Sequence, residues 1–157
     1  MMGDPMSHDQ GELYHASCVL LFGQGILIRG KSGSGKSQLA LRLIMGEGAC
    51  LVADDQVLLK PLNDRLIATA RDPIAGLLEV RGQGILRVQH EPRAVCRLVV
   101  DLLPVANIPR LPEQFDLTTS IAGVELGRVM AATPEEAILH LNTRLRGGTA
   151  WLSTPPE

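Results

Sequence analysis

The stretch Gly30-Lys31-Ser32-Gly33-Ser34-Gly35-Lys36-Ser37 has residue types and a spacing suited to binding phosphate groups. It matches the pattern G-x-x-x-x-G-K-[S/T] at every defined position. The glycines allow backbone N–H groups to turn toward one point, where a Cβ atom would otherwise interfere. Lys36 is predicted to contact the outer phosphates of a nucleotide, and the Ser37 hydroxyl to ligate the accompanying Mg²⁺. A simple Gly/Ser-rich loop is the alternative interpretation.

The elements on either side of this stretch agree with a phosphate site. Residues 25–29 are predicted to form a short apolar strand, and residues 37–45 an amphipathic helix. Gly46 and Gly48 are predicted to end that helix. Its apolar face comprises Leu39, Ala40, Leu43 and Ile44.

Acidic residues follow the next apolar run of the chain. Residues 49–53 are predicted to form a second strand, which would bring Asp54 and Asp55 beside the phosphates. A solvated turn is the alternative for this pair. Further along, Glu79 and Arg81 are two positions apart and would share one face of an extended segment, either in a site or as an exposed ion pair.

The remaining strands are predicted to pair mainly as hairpins. Residues 14–22 pair with the strand before the glycine-rich stretch, and residues 56–60 pair with 65–70 across a Pro-Leu-Asn-Asp turn. Residues 117–130 are read as strand formers interrupted by Gly123 and Gly127. The predicted fold class is therefore α/β, with a mixed, hairpin-rich sheet and few helices.

Two further segments complete the prediction. A strand at residues 96–102 leads into a proline-rich loop whose cation is Arg110. A helix is predicted from the cap Thr133, with Pro134 at its first position and Glu136 closing a capping box, to about residue 146. His140 is expected on its surface.

Composition limits the classes of function. The chain has 157 residues, of which 45% are hydrophobic, and a formal net charge of −2. This length suits one domain, predicted at residues 13–147 between flexible tails at 1–12 and 148–157, and the charge argues against nucleic acid as the main partner. There is no leader pattern and no apolar run near the ~18 residues that a membrane span needs. We expect a soluble, cytoplasmic protein without a membrane partner.

The three cysteines, Cys18, Cys50 and Cys96, are far apart and lie in apolar runs. They are predicted to be small buried residues rather than disulfide or zinc partners. His8 in the N-terminal tail is expected to be inert.

The chain resembles HPr kinase/phosphorylase, the bacterial enzyme family that phosphorylates a serine of the phosphocarrier protein HPr. The resemblance extends over about residues 15–146. It depends on His15 ahead of the glycine-rich stretch, on Val52-Ala53-Asp54-Asp55, and on Leu78-Glu79-Val80-Arg81-Gly82-Gln83-Gly84-Ile85, which resembles the family's signature sequence. It implies a P-loop kinase domain of the phosphoenolpyruvate-carboxykinase-like type, with ATP and Mg²⁺ as cofactors, HPr or a paralogue as partner, and a homo-oligomer.

The resemblance also implies residue roles. Lys36 would hold the nucleotide phosphates, while Ser37 and Glu79 would support the metal. Asp55 would be the base that takes the proton of the substrate serine, with Asp54 nearer the metal, although the sequence leaves the order of these two aspartates open. His15 would adjust the ionisation of Asp55, or else be a structural histidine. Arg110 resembles a phosphate-binding arginine on a mobile loop, and Gly127-Arg128 resembles a later family motif.

The leading hypothesis is thus an ATP-dependent protein serine kinase, and the sequence leaves open whether it also removes the phosphate by phosphorolysis. An ATP-sensing regulatory module without phosphotransfer is the alternative. A small-molecule kinase or GTPase is disfavoured, because the sequence has neither a guanine-reading motif nor a lid-like arginine cluster.

Overall fold

The computed structural model describes residues 11–71 and 76–146. Most of the two predicted tails, the predicted break at 73–76 apart from Gly76, and His8 lie outside the described residues. Glu12, predicted to lie in the N-terminal tail, begins the first strand, β1 (Glu12–Tyr14), whose residues pair antiparallel with Val57, Leu58 and Leu59.

Within the described residues, nine strands form one large sheet and two more form a separate hairpin. The strands after β1 are β2 (Ser17–Leu21), β3 (Gln24–Gly30), β4 (Cys50–Ala53), β5 (Val57–Leu62), β6 (Arg65–Ala70), β7 (Leu77–Val80), β8 (Gly84–Arg87), β9 (Arg93–Leu102), β10 (Thr118–Ile121) and β11 (Val124–Ala131). The large sheet has the order β1-β5-β6-β9-β3-β2-β4, and β11 pairs with β9 on one side and with β10 on the other. The hairpin is β7–β8.

Strand β9 organises the large sheet. It pairs in parallel with β3 along most of its length. On its other side, the first half pairs antiparallel with β6 and the second half pairs in parallel with β11. The parallel strands β3, β9 and β11 therefore end at the same edge of the sheet, and β3 runs from there into the glycine-rich stretch.

Apolar side chains cover both faces of the sheet. On one face, Leu39, Leu43 and Leu141 from two α-helices pack with residues from the central strands and the β7–β8 hairpin. On the other face, a second apolar cluster includes Leu27, Leu66 and Val99. In the described part of the chain these helices are α1 (Lys36–Glu47) and α2 (Pro134–Leu145), and two 3-10 turns lie between β9 and β10. The prediction of a mixed α/β fold with few helices is confirmed.

The structure differs from the prediction at the C-terminal end of α1 and at the N-terminal end of α2. Gly46 lies inside α1, and Gly48 caps the helix in the left-handed conformation with its N–H donating to Leu43 O. At α2, Thr133 accepts from Glu136 N as predicted, but the Glu136 carboxylate reaches Ala132 N, one residue before the expected position. His140, predicted to lie on the surface, is half-buried, with Nδ1 3.0 Å from Met130 O.

Two-residue turns close the predicted hairpins. Phe22 and Gly23 join β2 to β3, Asn63 and Asp64 join β5 to β6, and Ala122 and Gly123 join β10 to β11, each with φ above zero at both positions. This is the sign pattern of a type I′ turn, whose twist matches that of the paired strands. Gly127, predicted as an interruption, instead lies within β11, where a Cβ would meet Arg144 Nη2 at 2.7 Å and Leu98 Cδ2 at 2.7 Å.

Ala122 gives a prediction about stability. Its φ of 52° places a Cβ-bearing side chain in the left-handed region, and the residue is exposed. Ala122→Asn is expected to raise the free energy of unfolding in urea by about 0.5–1 kcal/mol, because asparagine tolerates this conformation better. Ala122→Val is the matched control and should lower it. Equal effects of the two variants would contradict the assignment.

Cys18 and Cys96 are buried and reduced, as predicted, while Cys50 is only half-buried. The hydrogen bond with the Cys96 thiol, and then burial, raise the pKa of Cys18 well above its usual value. No helix among the described residues is long and apolar enough to cross a membrane.

Candidate active site

The glycine-rich loop, residues 30–37, connects the end of β3 to the first turn of α1. Lys36 folds back over this loop: its Nζ donates to Gly30 O at 2.8 Å and to Lys31 O at 3.3 Å. The lysine is only 8% exposed, although it lines a cavity. Its charge is therefore held at the centre of the loop, close to the N-terminal end of the helix.

The loop is packed against the start of α2. Gly35 has a φ of 105°, and a Cβ there would meet Pro134 Cγ at 3.1 Å. Glycine is required by both the backbone conformation and the close approach. Nearby, the Ser34 hydroxyl is buried and has no hydrogen-bond partner among the described residues, so it remains available to a group that enters the loop.

Asp54 follows β4 and lies directly against Ser37. Its Oδ1 accepts hydrogen bonds from the hydroxyls of Ser37 and Ser17, both at 3.1 Å. Its Oδ2 accepts from the backbone N–H of Glu79 at 3.1 Å. This carboxylate is thus held by the first turn of α1, by β2 and by β7.

Asp55 points away from these groups. Its Oδ1 is 3.7 Å from Nε2 of His15, and both side chains are 61% exposed. Its backbone N–H donates to Ser17 Oγ at 3.0 Å, and its φ is 66°. Two adjacent aspartates therefore occupy different environments, one tied to the loop and one accessible from solvent.

Several of these groups line a cavity of about 410 Å³. Its walls include most of the glycine-rich loop and both aspartates, together with Glu79, Arg81 and Pro134. Glu79 is the third residue of β7, and Arg81 lies in the turn after it. Glu79 and Arg81 thus line the same cavity, although Arg81 lies beyond the end of the strand, and their contribution to a functional site stays a prediction.

Four of the predicted site residues are less directly placed. The cavity walls, as far as the described residues form them, do not include His15, Gly30, Lys31 or Arg110. His15 approaches the cavity through Asp55, and the carbonyls of Gly30 and Lys31 accept hydrogen bonds from Lys36. Arg110 is exposed in the loop after β9, and its contact with a bound phosphate stays a prediction.

A buried ion cluster lies beneath the loop and was not predicted from the sequence. Asp101 of β9 accepts from Nε and Nη2 of Arg29 at 2.7 and 2.8 Å, and from Nε of Arg128 at 2.6 Å. Arg29 also donates to the Tyr14 hydroxyl at 2.9 Å. Burial alone would raise the pKa of Asp101, but the two arginines outweigh it and lower that pKa below its usual value. The cluster links β3, β9 and β11, and its Arg29 immediately precedes Gly30 in the chain.

Ser17 is another residue of the site region that was not predicted from the sequence. Its side chain is fully buried beside both aspartates. The available signal was a hydroxyl at the start of an otherwise apolar run, two positions after His15. A polar group in such a position must find a partner when it is buried.

The large mixed sheet with few helices defines the chain as an α/β protein. Its candidate site is a cavity at a strand-to-helix junction, where a Gly-Lys-Ser loop meets two aspartates. A family model described as HPr Serine kinase C-terminal domain matches residues 8–92. The chain belongs to the HPr serine kinase C-terminal domain family, as the sequence resemblance predicted.

The sequence is also similar to individual curated relatives with names of this family. The chain is 49% identical over 74 residues to an HPr kinase/phosphorylase of Clostridium tetani, which covers 47% of this chain and 24% of that protein. It is 32% identical over 154 residues to an HPr kinase/phosphorylase of Neisseria meningitidis, covering 85% and 48% respectively. The chain therefore spans about half or less of the length of these curated relatives.

A solved structure has a similar fold. It is that of the Hpr(Ser) kinase/phosphatase from Coxiella burnetii, with a TM-score of 0.72 and 26% sequence identity. The match covers 86% of this chain and 92% of that chain.

Proposed function

We propose that this chain is a P-loop kinase domain of the phosphoenolpyruvate-carboxykinase-like type that uses Mg²⁺-ATP to phosphorylate a serine of HPr or of a paralogue. The observation that carries the proposal is the meeting of the glycine-rich loop, the Ser37–Asp54 pair and the Asp55–His15 pair around one cavity. The family and the named relatives support the choice of HPr as substrate.

The loop is suited to the phosphates of ATP. Lys36 carries a compact positive charge at its centre, and the unpartnered Ser34 hydroxyl supplies a further donor. The N-terminal end of α1 adds its partial positive charge. Together these groups bind the triphosphate and orient its outer phosphorus toward the aspartates.

Oxygen ligands suited to Mg²⁺ lie at the same place. Ser37, Asp54 and Glu79 provide one hydroxyl and two carboxylates, and Mg²⁺ prefers such oxygens together with substrate phosphates and water. Among the described residues no cluster of three or more His, Cys, Asp or Glu side chains is close enough to hold a metal alone. When bound, the ion would neutralise charge on the phosphates.

Asp55 is suited to the proton transfer. Its carboxylate is exposed and is not held by the glycine-rich loop, so a serine from another protein can reach it. The serine oxygen bonds to the γ-phosphorus, the bond from that phosphorus to ADP breaks, and the serine proton passes to Asp55. In this proposal His15, whose Nε2 lies 3.7 Å from Asp55 Oδ1, helps to position that carboxylate. In the reverse direction phosphate takes the phosphoryl group as pyrophosphate, and Asp55 returns the proton to serine.

Arginines supply charge to the transferring group in this proposal. Arg81 lines the cavity, and Arg110 would act from the loop after β9. Positive side chains at this position stabilise the charge that develops on the phosphoryl oxygens. Arg110 would have to approach as substrate binds. The domain at residues 13–147, cytoplasmic location and homo-oligomeric assembly are further parts of the proposal.

Lys36 gives a prediction about nucleotide affinity. Lys36→Met keeps most of the side-chain length and removes the charge, and should weaken ATP binding about 10- to 100-fold, the usual contribution of a hydrogen bond to a charged group. Titration with a fluorescent ATP analogue measures this effect. Lys60→Met, in strand β5, is the control and should bind normally. Unchanged affinity of Lys36→Met would contradict the assignment of the loop.

The transfer assay tests the function itself. The protein is incubated with labelled ATP, Mg²⁺ and the HPr of its own organism, and label is sought on a serine. The phosphorylated product is then incubated with inorganic phosphate, and pyrophosphate is measured. Binding of ATP without any transfer to HPr would contradict the kinase proposal and favour the ATP-sensing module.

A further inference from the structure

Ser17 is the first residue of β2, and its side chain is completely buried. The hydroxyl donates to Asp54 Oδ1 at 3.1 Å and accepts from the backbone N–H of Asp55 at 3.0 Å. A hydroxyl is one of the few side-chain groups that can donate and accept at once. One buried oxygen therefore contacts both of the adjacent aspartates.

The Ser17 hydroxyl is one of three hydrogen-bond donors around the Asp54 carboxylate. Ser17 and Ser37 share Oδ1, while Glu79 N occupies Oδ2. Each carboxylate oxygen can accept more than one hydrogen bond, and Asp54 accepts three in all. With donors on both oxygens, the plane of the Asp54 carboxylate is fixed relative to Ser37.

The contact with Asp55 holds the backbone where the chain leaves β4. Asp55 has a φ of 66°, a conformation that costs energy for a residue with a Cβ. The pairing of β2 with β4 also shifts in register between Cys18 and Val19. Such irregularities change the direction in which side chains point, and here the shift lies next to the point where the two aspartates diverge.

We propose that Ser17 is a positioning residue that sets the directions of both aspartates at once, holding Asp54 toward Ser37 and turning Asp55 toward His15. The inference rests on the proposed function for its catalytic consequence. Its geometric part, the hydroxyl bridge itself, does not depend on any activity.

The test compares Ser17→Ala with Ser17→Thr, which keeps the hydroxyl, and with Ser120→Ala, an exposed serine in β10. Three quantities are measured for each variant. They are the hydrogen exchange rate of the Asp55 amide in the ligand-free protein, the Mg²⁺ concentration that half-saturates binding of an ATP analogue, and kcat for transfer to HPr at saturating ATP.

In Ser17→Ala, Asp55 amide exchange should accelerate by about 10-fold or more, because its acceptor is gone. The Mg²⁺ half-saturation should rise and kcat should fall, each by about 10- to 100-fold, as when a group that orients a metal ligand is removed. Ser17→Thr should restore all three toward normal values, and Ser120→Ala should change none of them.

The outcomes separate this proposal from the function. Normal Asp55 exchange in Ser17→Ala would overturn the bridge. Faster exchange with unchanged Mg²⁺ half-saturation would overturn the positioning role, since a merely structural serine alters local stability alone. If the unmodified protein transfers no phosphate, the proposed function fails, and the exchange and Mg²⁺ measurements still decide the role of Ser17.

Discussion

Asp55→Asn is expected to reduce kcat for phosphoryl transfer by about 10²- to 10⁴-fold, the usual contribution of a general base. An amide has the shape of the carboxylate but cannot take the proton of the substrate serine. ATP binding should be little changed, because the Asp55 side chain is 61% exposed and contacts His15 rather than the glycine-rich loop. The variant should also remain folded.

The measurement combines steady-state transfer to HPr with titration of an ATP analogue. Asp54→Asn is the informative counterpart, since Asp54 is bonded to Ser37 and its loss should weaken Mg²⁺-dependent nucleotide binding. Asp64→Asn, in an exposed turn, serves as the neutral control. Transfer that survives in Asp55→Asn and disappears in Asp54→Asn, with nucleotide binding intact, would reverse the roles of the two aspartates.

Asp101→Asn should lower the free energy of unfolding by about 3–5 kcal/mol, the usual cost of breaking a buried ion pair. The substitution leaves the guanidinium groups of Arg29 and Arg128 facing each other without a counter-charge at a position where the carboxylate is 8% exposed. Urea unfolding measures the change. Asp64→Asn should stay within about 0.5 kcal/mol of the unmodified protein. A similarly small effect at Asp101 would contradict the structural importance of the cluster.

The effect of Asp101 should also depend on pH. Its pKa is lowered in the folded protein, so its stabilising contribution is fully present above the unfolded pKa, near 3.8, and is lost as the pH falls through the lower folded value. The difference in stability between the unmodified protein and Asp101→Asn should therefore be largest near neutral pH and shrink in acid below about pH 4. A difference that grows in acid would contradict the lowered pKa.

The features that the sequence predicted well depend on residues close together in the chain. The glycine-rich loop occupies eight consecutive positions, and the two-residue hairpins are bounded by local turn residues. The helix predictions also succeeded in outline. The error at Gly46 shows that one glycine is tolerated inside a helix when the next one, Gly48, can adopt the left-handed cap.

The features that the sequence reasoning missed depend on pairing between distant strands. Ser17 meets Asp54 across 37 positions, and Asp101 meets Arg29 across 72. Neither separation along the sequence indicates a contact, because each separation depends on the lengths of the connections between the two residues. The prediction for Gly127 is wrong for a related reason, because the space that a side chain would need there is occupied by Arg144 of the following helix.

The central position of β9 has a consequence for the order of events during synthesis. Strand β3 leads into the glycine-rich loop, yet its parallel partner β9 ends at Leu102. A ribosome adds about 5–20 residues per second, so about 4–14 s pass between Gly30 and Leu102. During that interval β3 can pair with β2 but lacks its parallel partner, and parallel pairing between distant segments is itself slow. The nascent chain therefore acquires its phosphate-binding geometry late, after the hairpins around it have had time to form.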